Sequence, residues 1–127
     1  FKSGSINVTA QAREVLGKVA TVVNNKPDFE FLVEGHTESK PISTSCIKDN
    51  WDLSVLRATT VVRILQEDFG VSPMRMTAGG RGEYVPKATN DTDYGRSKNR
   101  RTRIVVLPKL DQFYTMIEEG LKDPKIN

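Results

Sequence analysis

The alternation of apolar and polar positions predicts two amphipathic helices in the first half of the chain. Apolar residues recur every three or four positions over residues 9–24, where Thr9 is a candidate N-cap. Residues 51–69 repeat this period and stop at Gly70. The faces expected to be buried are Ala12, Val15, Leu16, Val19, Val22 and Val23 in the first helix, and Trp51, Val55, Ala58, Val62, Leu65 and Phe69 in the second.

Three short segments between and after these helices predict β-strands. Residues 29–34 alternate in character, and residues 74–78 precede a glycine-rich stretch. Residues 103–107 contain three successive β-branched residues and are followed by Pro108. A last helix is expected over residues 109–122, because its apolar residues lie on one stripe. That stripe consists of Leu110, Phe113, Ile117 and Leu121. The order of elements favours an α/β fold, in which a layer of helices packs on a sheet.

Composition adds limits on size and partners. The 127 residues fit one domain, and the net charge of +3 is a mild basic bias that would favour anionic partners. Nineteen basic residues are interleaved with sixteen acidic ones, which argues against a continuous nucleic-acid surface. The single Cys46 cannot form an internal disulfide. Because the chain opens at Phe1 without an initiator Met or signal peptide, we expect an excised domain whose targeting segment is missing.

A charged pair next to the second helix is the main candidate for a binding site. Glu38 follows the first predicted strand, and Asn50, Leu53 and Arg57 share one side of the helix at i, i+3 and i+7. An arginine binds a carboxylate with two hydrogen bonds, and Glu38 could take an ammonium, so the pair suits a small zwitterionic ligand. Spacing alone leaves a second reading open, in which Glu38 and Arg57 form a structural salt bridge and Asn50 is a helix N-cap.

Other constellations give weak support for catalysis, metal binding or cofactors. His36 is the only histidine, has no second ligand at metal spacing, and lacks an identifiable nucleophile and orienting group. The glycines at residues 79–82 lack the rest of a phosphate-binding motif. The basic cluster of residues 96–103 has no interleaved aromatic residues for stacking bases, so we expect a solvated or structural role in which one arginine supports Glu38 or the chain ends. We therefore predict a protein that is not an enzyme and uses neither metal nor cofactor.

Five motifs in the right order identify a family resemblance. They are Val33-Glu34-Gly35-His36-Thr37, Asn50-x-x-Leu53-Ser54-x-x-Arg57-Ala58-x-x-Val61, Gly80-x-Gly82-Glu83-x-x-Pro86, Asn90-x-Thr92-x-x-Gly95-Arg96 and Asn99-Arg100-Arg101. Together they make the chain, from Phe1 to Val106, resemble the OmpA-like family. This is the peptidoglycan-anchoring domain of OmpA-type outer-membrane proteins, peptidoglycan-associated lipoproteins and flagellar stator MotB proteins.

The resemblance implies a fold and a function. The fold is a two-layer α/β sandwich with helices packed on a mixed β-sheet, in the order βαβαββ with the first strand truncated. Residues 1–108 would form this domain and residues 109–127 a C-terminal helical extension. The implied role is non-covalent binding of the peptidoglycan stem peptide at meso-diaminopimelate. The domain would be a periplasmic part of a Gram-negative outer-membrane protein, anchoring it to the cell wall through a missing N-terminal region.

The resemblance also implies a set of ligand-binding residues. Arg57 would pair with a diaminopimelate carboxylate, Glu38 would engage the ligand's ammonium or order Arg57, and Arg101 would support the site. The pocket would be lined by Thr37, Asn50 and Leu53. The family usually has Asp at the position of Glu38, and Val-Glu is commoner than Thr102-Arg103. Two alternatives are a MotB-type inner-membrane stator anchor, and a protein-interaction module that forms homodimers and binds the wall weakly.

Overall fold

The computed structural model describes Phe1 and residues 4–107. The helix expected over residues 109–122, and with it the proposed extension of residues 109–127, lies outside the described residues. Within the described part, three α-helices and three β-strands alternate along the chain. They are α1 (Ala10–Asn24), β1 (Glu30–Gly35), α2 (Asn50–Glu67), β2 (Met76–Gly80), α3 (Asp93–Asn99) and β3 (Thr102–Leu107).

The three strands form a mixed sheet with β1 in the centre. The strand order is β2-β1-β3, with β2 parallel and β3 antiparallel to β1. The parallel pair requires a crossover, which α2 supplies. Helices packed on a mixed sheet were expected from the sequence, and that fold class is confirmed.

The hydrophobic core lies between the two long helices and β1. Phe31 and Val33 are two residues apart in β1, so their side chains point to the same face of the sheet. They join side chains of both helices and of the segment after α2 in one buried cluster. The helical and loop members of this cluster are Leu16, Ala20, Val23, Ala58, Val61, Leu65 and Val71. The core therefore holds α2 firmly against the strand that leads into the candidate site.

The buried face of α2 agrees only in part with the predicted one. Ala58 and Leu65 are buried as expected, and Val62 and Phe69 pack against the core. Trp51 and Val55 were expected in the core but are 50% and 42% exposed, and Val15 and Val22 of α1 are exposed as well. The buried residues of α2 are Asn50, Leu53, Ser54, Arg57, Ala58, Val61 and Leu65. Asn50, Leu53 and Arg57 therefore lie on the inward face of α2. Polar residues on that face misled a prediction based only on hydrophobic period.

Two further details of the helices were not predicted. Residues 93–99, for which the sequence indicated no helix, form α3, whose N-cap Thr92 accepts a hydrogen bond from the Gly95 amide. The N-cap of α2 is Asp49, which accepts from the Asp52 amide, so Asn50 is the first helical residue and not the cap. Asn50 is therefore available for another role, and the alternative in which Asn50 is the helix N-cap is wrong.

Candidate functional site

The end of β1 lies in close contact with the start of α2. A Cβ atom on Gly35 would lie 2.0 Å from the Ser54 carbonyl oxygen, so only glycine allows this approach. After the strand, His36 N–H donates to the Arg101 carbonyl at 2.8 Å and Thr37 N–H donates to the Gly82 carbonyl at 2.9 Å. These bonds fix the chain that leads into Glu38 relative to the helix that carries Arg57.

Four of the six predicted site residues line one cavity, which we call the inner cavity. It has a volume of about 200 Å³. Its lining consists of Gly4, Glu38, Lys40, Pro41, Ile42, Asn50, Leu53 and Arg57. The structure therefore brings Glu38, Asn50, Leu53 and Arg57 together at one cavity, while their contacts with a ligand remain predictions.

The Arg57 guanidinium is held rigidly in the wall of the inner cavity. The residue is completely buried. Its Nε donates to the Ser5 carbonyl at 2.8 Å, its Nη1 donates to the His36 carbonyl at 3.2 Å, and the guanidinium carbon lies 5.0 Å from the centre of the Phe1 ring. Burial, together with the charge of Arg100 and against that of Glu38, lowers the pKa of Arg57 to about 10. Arg57 thus keeps its positive charge at neutral pH.

Asn50 presents a hydrogen-bond acceptor without a donor. Its Nδ2 donates to the carbonyls of Glu38 and Lys40, at 3.2 and 3.3 Å, and so ties the loop to the start of α2. Its Oδ1 is buried and has no hydrogen-bond partner among the described residues. A buried acceptor in this state is costly, and an N–H donor of a ligand would satisfy it.

Glu38 forms ion pairs with Arg96 of α3 and with Arg100, the residue that follows this helix. Its Oε2 lies 3.1 Å from Arg100 Nη1 and 3.4 Å from Arg96 Nε. The sequence indicated only that some arginine of the basic cluster could support Glu38. The negative charge of Glu38 also favours the charged form of Arg57, and so it partly opposes the lowering of the Arg57 pKa by burial. A carboxylate surrounded by three arginines leaves the site cationic.

A second and larger cavity, which we call the outer cavity, adjoins the first. It has a volume of about 600 Å³ and shares Glu38, Lys40 and Pro41 with the inner cavity. Its remaining lining residues are Ser39, Asn90, Asp93, Arg96 and Arg100. Lys40, Arg96 and Arg100 were missed as site residues, although the density of arginines after Asn90 was a visible signal.

The other two predicted site residues lie outside the inner cavity lining. Thr37 is buried, and its hydroxyl donates to the Glu38 carbonyl at 2.9 Å. Arg101 Nη2 donates to the Val85 carbonyl at 3.0 Å. Burial lowers the pKa of Arg101, and the charge of Glu34 opposes this shift. The roles predicted for Thr37 and Arg101 remain predictions, and the arginines that form ion pairs with Glu38 are Arg96 and Arg100.

His36 has a structural environment. Its Nε2 lies 2.7 Å from Glu34 Oε1, and both side chains are buried. Burial lowers the pKa of His36 despite the hydrogen bond to Glu34, which favours the neutral ring. Over Phe1 and residues 4–107, no group of three or more His, Cys, Asp or Glu side chains is arranged to hold a metal ion. Over the same residues, no helix combines the length and apolar character of a membrane span.

Two known proteins match most of this chain in sequence. Motility protein B of Bacillus subtilis is 34% identical over 109 residues, covering 86% of this chain and 42% of that protein. Outer membrane protein Omp38 of Acinetobacter baumannii is 32% identical over 101 residues, covering 80% of this chain and 27% of that protein. This chain therefore spans less than half the length of either relative.

A solved structure and a family model also match this chain. The crystal structure of the peptidoglycan-associated lipoprotein from Burkholderia pseudomallei matches with a TM-score of 0.74 at 27% identity, covering 84% of this chain and 86% of that one. The sequence also matches the OmpA family over residues 1–100. The chain therefore belongs to the OmpA family, a family of peptidoglycan-binding domains.

Proposed function

We propose that this domain binds the stem peptide of peptidoglycan non-covalently, with the side-chain end of meso-diaminopimelate in the inner cavity. That end carries one carboxylate and one ammonium. The fixed guanidinium of Arg57 is suited to the carboxylate. The unsatisfied Oδ1 of Asn50 and the carboxylate of Glu38 are suited to the ammonium. The single observation that carries the proposal is this set of complementary groups around one cavity.

Binding without turnover is the activity that the site supports. Acyl transfer would require a nucleophile within reach of a general base and donors for the oxyanion. His36 is buried against Glu34 and away from the lining of both cavities. The domain therefore acts as an anchor and not as an enzyme.

Sedimentation with purified sacculi tests the site. Arg57→Ala removes the guanidinium from the inner cavity, and we expect most of the bound fraction to be lost. Arg63→Ala is the matched control, because Arg63 is an exposed arginine on the same helix. Equal sedimentation of the two variants would show that the Arg57 guanidinium does not contribute to wall binding. Circular dichroism of each variant verifies that it is folded.

The anchored protein is proposed from the relatives. An outer-membrane protein tethered to the wall from the periplasm is one candidate, in line with the similarity to Omp38. A motility protein B-type stator anchor in the inner membrane is the second, favoured by the match that covers 86% of this chain. Full-length sequence separates the two, since a single N-terminal membrane helix supports the stator anchor and a barrel or lipoprotein signal supports the outer-membrane protein. The alternative in which the domain forms homodimers would be supported by a molecular mass that rises with protein concentration in analytical ultracentrifugation.

A further inference from the structure

The outer cavity is unused by a ligand that fills only the inner one. It is the larger of the two, at about 600 Å³ against about 200 Å³, and opens from the same wall of Glu38, Lys40 and Pro41. A peptide whose diaminopimelate side chain lies in the inner cavity therefore has room for a neighbouring group next to it.

The charges around the two cavities are unbalanced. Their linings contain four basic side chains, Lys40, Arg57, Arg96 and Arg100, and two acidic ones, Glu38 and Asp93. The Oε2 atom of Glu38 already lies between Arg100 and Arg96, and the carboxylate of Asp93 is in contact with Arg96. A zwitterionic group adds no net charge, so it leaves the cationic excess uncompensated. Because Arg96 and Arg100 are partly shielded from water, this excess favours an additional anion.

We propose that the outer cavity binds a second free carboxylate of the same wall peptide, so that the domain distinguishes free from amidated stem peptides. The inference rests on the proposed function and deepens it. In the stem peptide, the residue before diaminopimelate is a D-glutamyl unit with its own α-carboxylate. An amide at that position has no charge and keeps only one of the two acceptor oxygens, and its NH2 group has no acceptor on Lys40 or the guanidinium groups, which are themselves only donors. Amidation thus replaces an attraction with a mismatch.

A matched pair of tripeptides tests the proposal by calorimetry on the whole domain. The first is L-alanyl-γ-D-glutamyl-meso-diaminopimelate, and the second is identical except that the D-glutamyl α-carboxylate is amidated. We expect the wild-type domain to bind the free form about tenfold more tightly, as is typical of one partly shielded charge contact. Equal affinities would overturn the proposal and leave the proposed function intact. A failure to bind either tripeptide would overturn both.

A pair of lysine variants locates the discrimination. Lys40 is exposed and lines both cavities, so Lys40→Gln removes a charge at small structural cost. Lys48→Gln removes the same charge from the same loop, but Lys48 lines neither cavity. The preference for the free tripeptide is measured as the ratio of its affinity to that of the amidated tripeptide. This ratio is expected to fall by at least about threefold in Lys40→Gln and to stay at the wild-type value in Lys48→Gln. An unchanged ratio in Lys40→Gln, or an equal fall in both variants, would overturn the assignment.

Discussion

Replacing Glu38 by Gln removes the charge that holds α3 against the candidate site, while keeping the shape of the side chain. In the folded domain the Glu38 side chain is 6% exposed, and its partners Arg100 and Arg96 are 17% and 28% exposed. Breaking a fully buried ion pair costs about 3–5 kcal/mol, whereas an exposed pair contributes about 0–1 kcal/mol. Because the two arginines keep some contact with water, we expect a loss of about 2 kcal/mol in the free energy of unfolding.

Urea unfolding measures this loss directly. With a slope of about 2 kcal/mol per molar, a loss of this size lowers the urea midpoint by about 1 M. Asp93→Asn is the control, because Asp93 contacts the same Arg96 but is 98% exposed, and its midpoint should shift by less than about 0.3 M. The reasoning is refuted if Glu38→Gln unfolds at the wild-type midpoint, or if Asp93→Asn is destabilised as much.

Two other substitutions have consequences that follow from burial and close packing. Burial lowers the pKa of His36, so below its usual pKa of about 6.5 the unfolded chain binds a proton that the folded domain excludes, and stability is lost as the pH falls. His36→Gln should therefore show a smaller fall in urea midpoint between pH 7.5 and 5.5, and equal falls would contradict this cause. Gly35→Ala should cost about 2–3 kcal/mol or prevent folding, because the new Cβ meets the Ser54 carbonyl. Gly79→Ala, which meets only the end of the Leu32 side chain, should cost clearly less in the same unfolding measurement.

Local patterns in the sequence were sufficient for the long elements. The helices α1 and α2 were predicted because their apolar residues repeat with a helical period over four or more turns. Helix α3 was missed because its seven residues include no apolar stripe and follow a run of turn-forming residues. The inward face of α2 was misplaced because Ser54 and Arg57 are polar, and their burial depends on contacts with Gly35, Gly80 and the carbonyls of Ser5 and His36.

In the candidate site as well, the placement of residues close in sequence could be predicted, and contacts between residues far apart in sequence could not. Helical spacing was enough to place Asn50, Leu53 and Arg57 on one side of α2, and the position of Glu38 after the first strand suggested that it pairs with Arg57 around a ligand. Spacing could not reveal that Glu38 pairs with Arg96 and Arg100, because those residues are distant in sequence and reach the site only through α3. The outer cavity could not be predicted for the same reason, because Arg96 and Arg100 are part of its lining.

The most direct test of the account compares two stem tripeptides that differ only at the third residue, meso-diaminopimelate in one and L-lysine in the other. Lysine keeps the side-chain ammonium but lacks the carboxylate that Arg57 is proposed to bind. Calorimetry should show that the wild-type domain prefers the diaminopimelate peptide by at least about tenfold, the usual effect of one hydrogen-bonded charge pair. Arg57→Ala should lose that preference, and Arg63→Ala should keep it. Equal binding of both peptides by the wild-type domain would contradict the central claim.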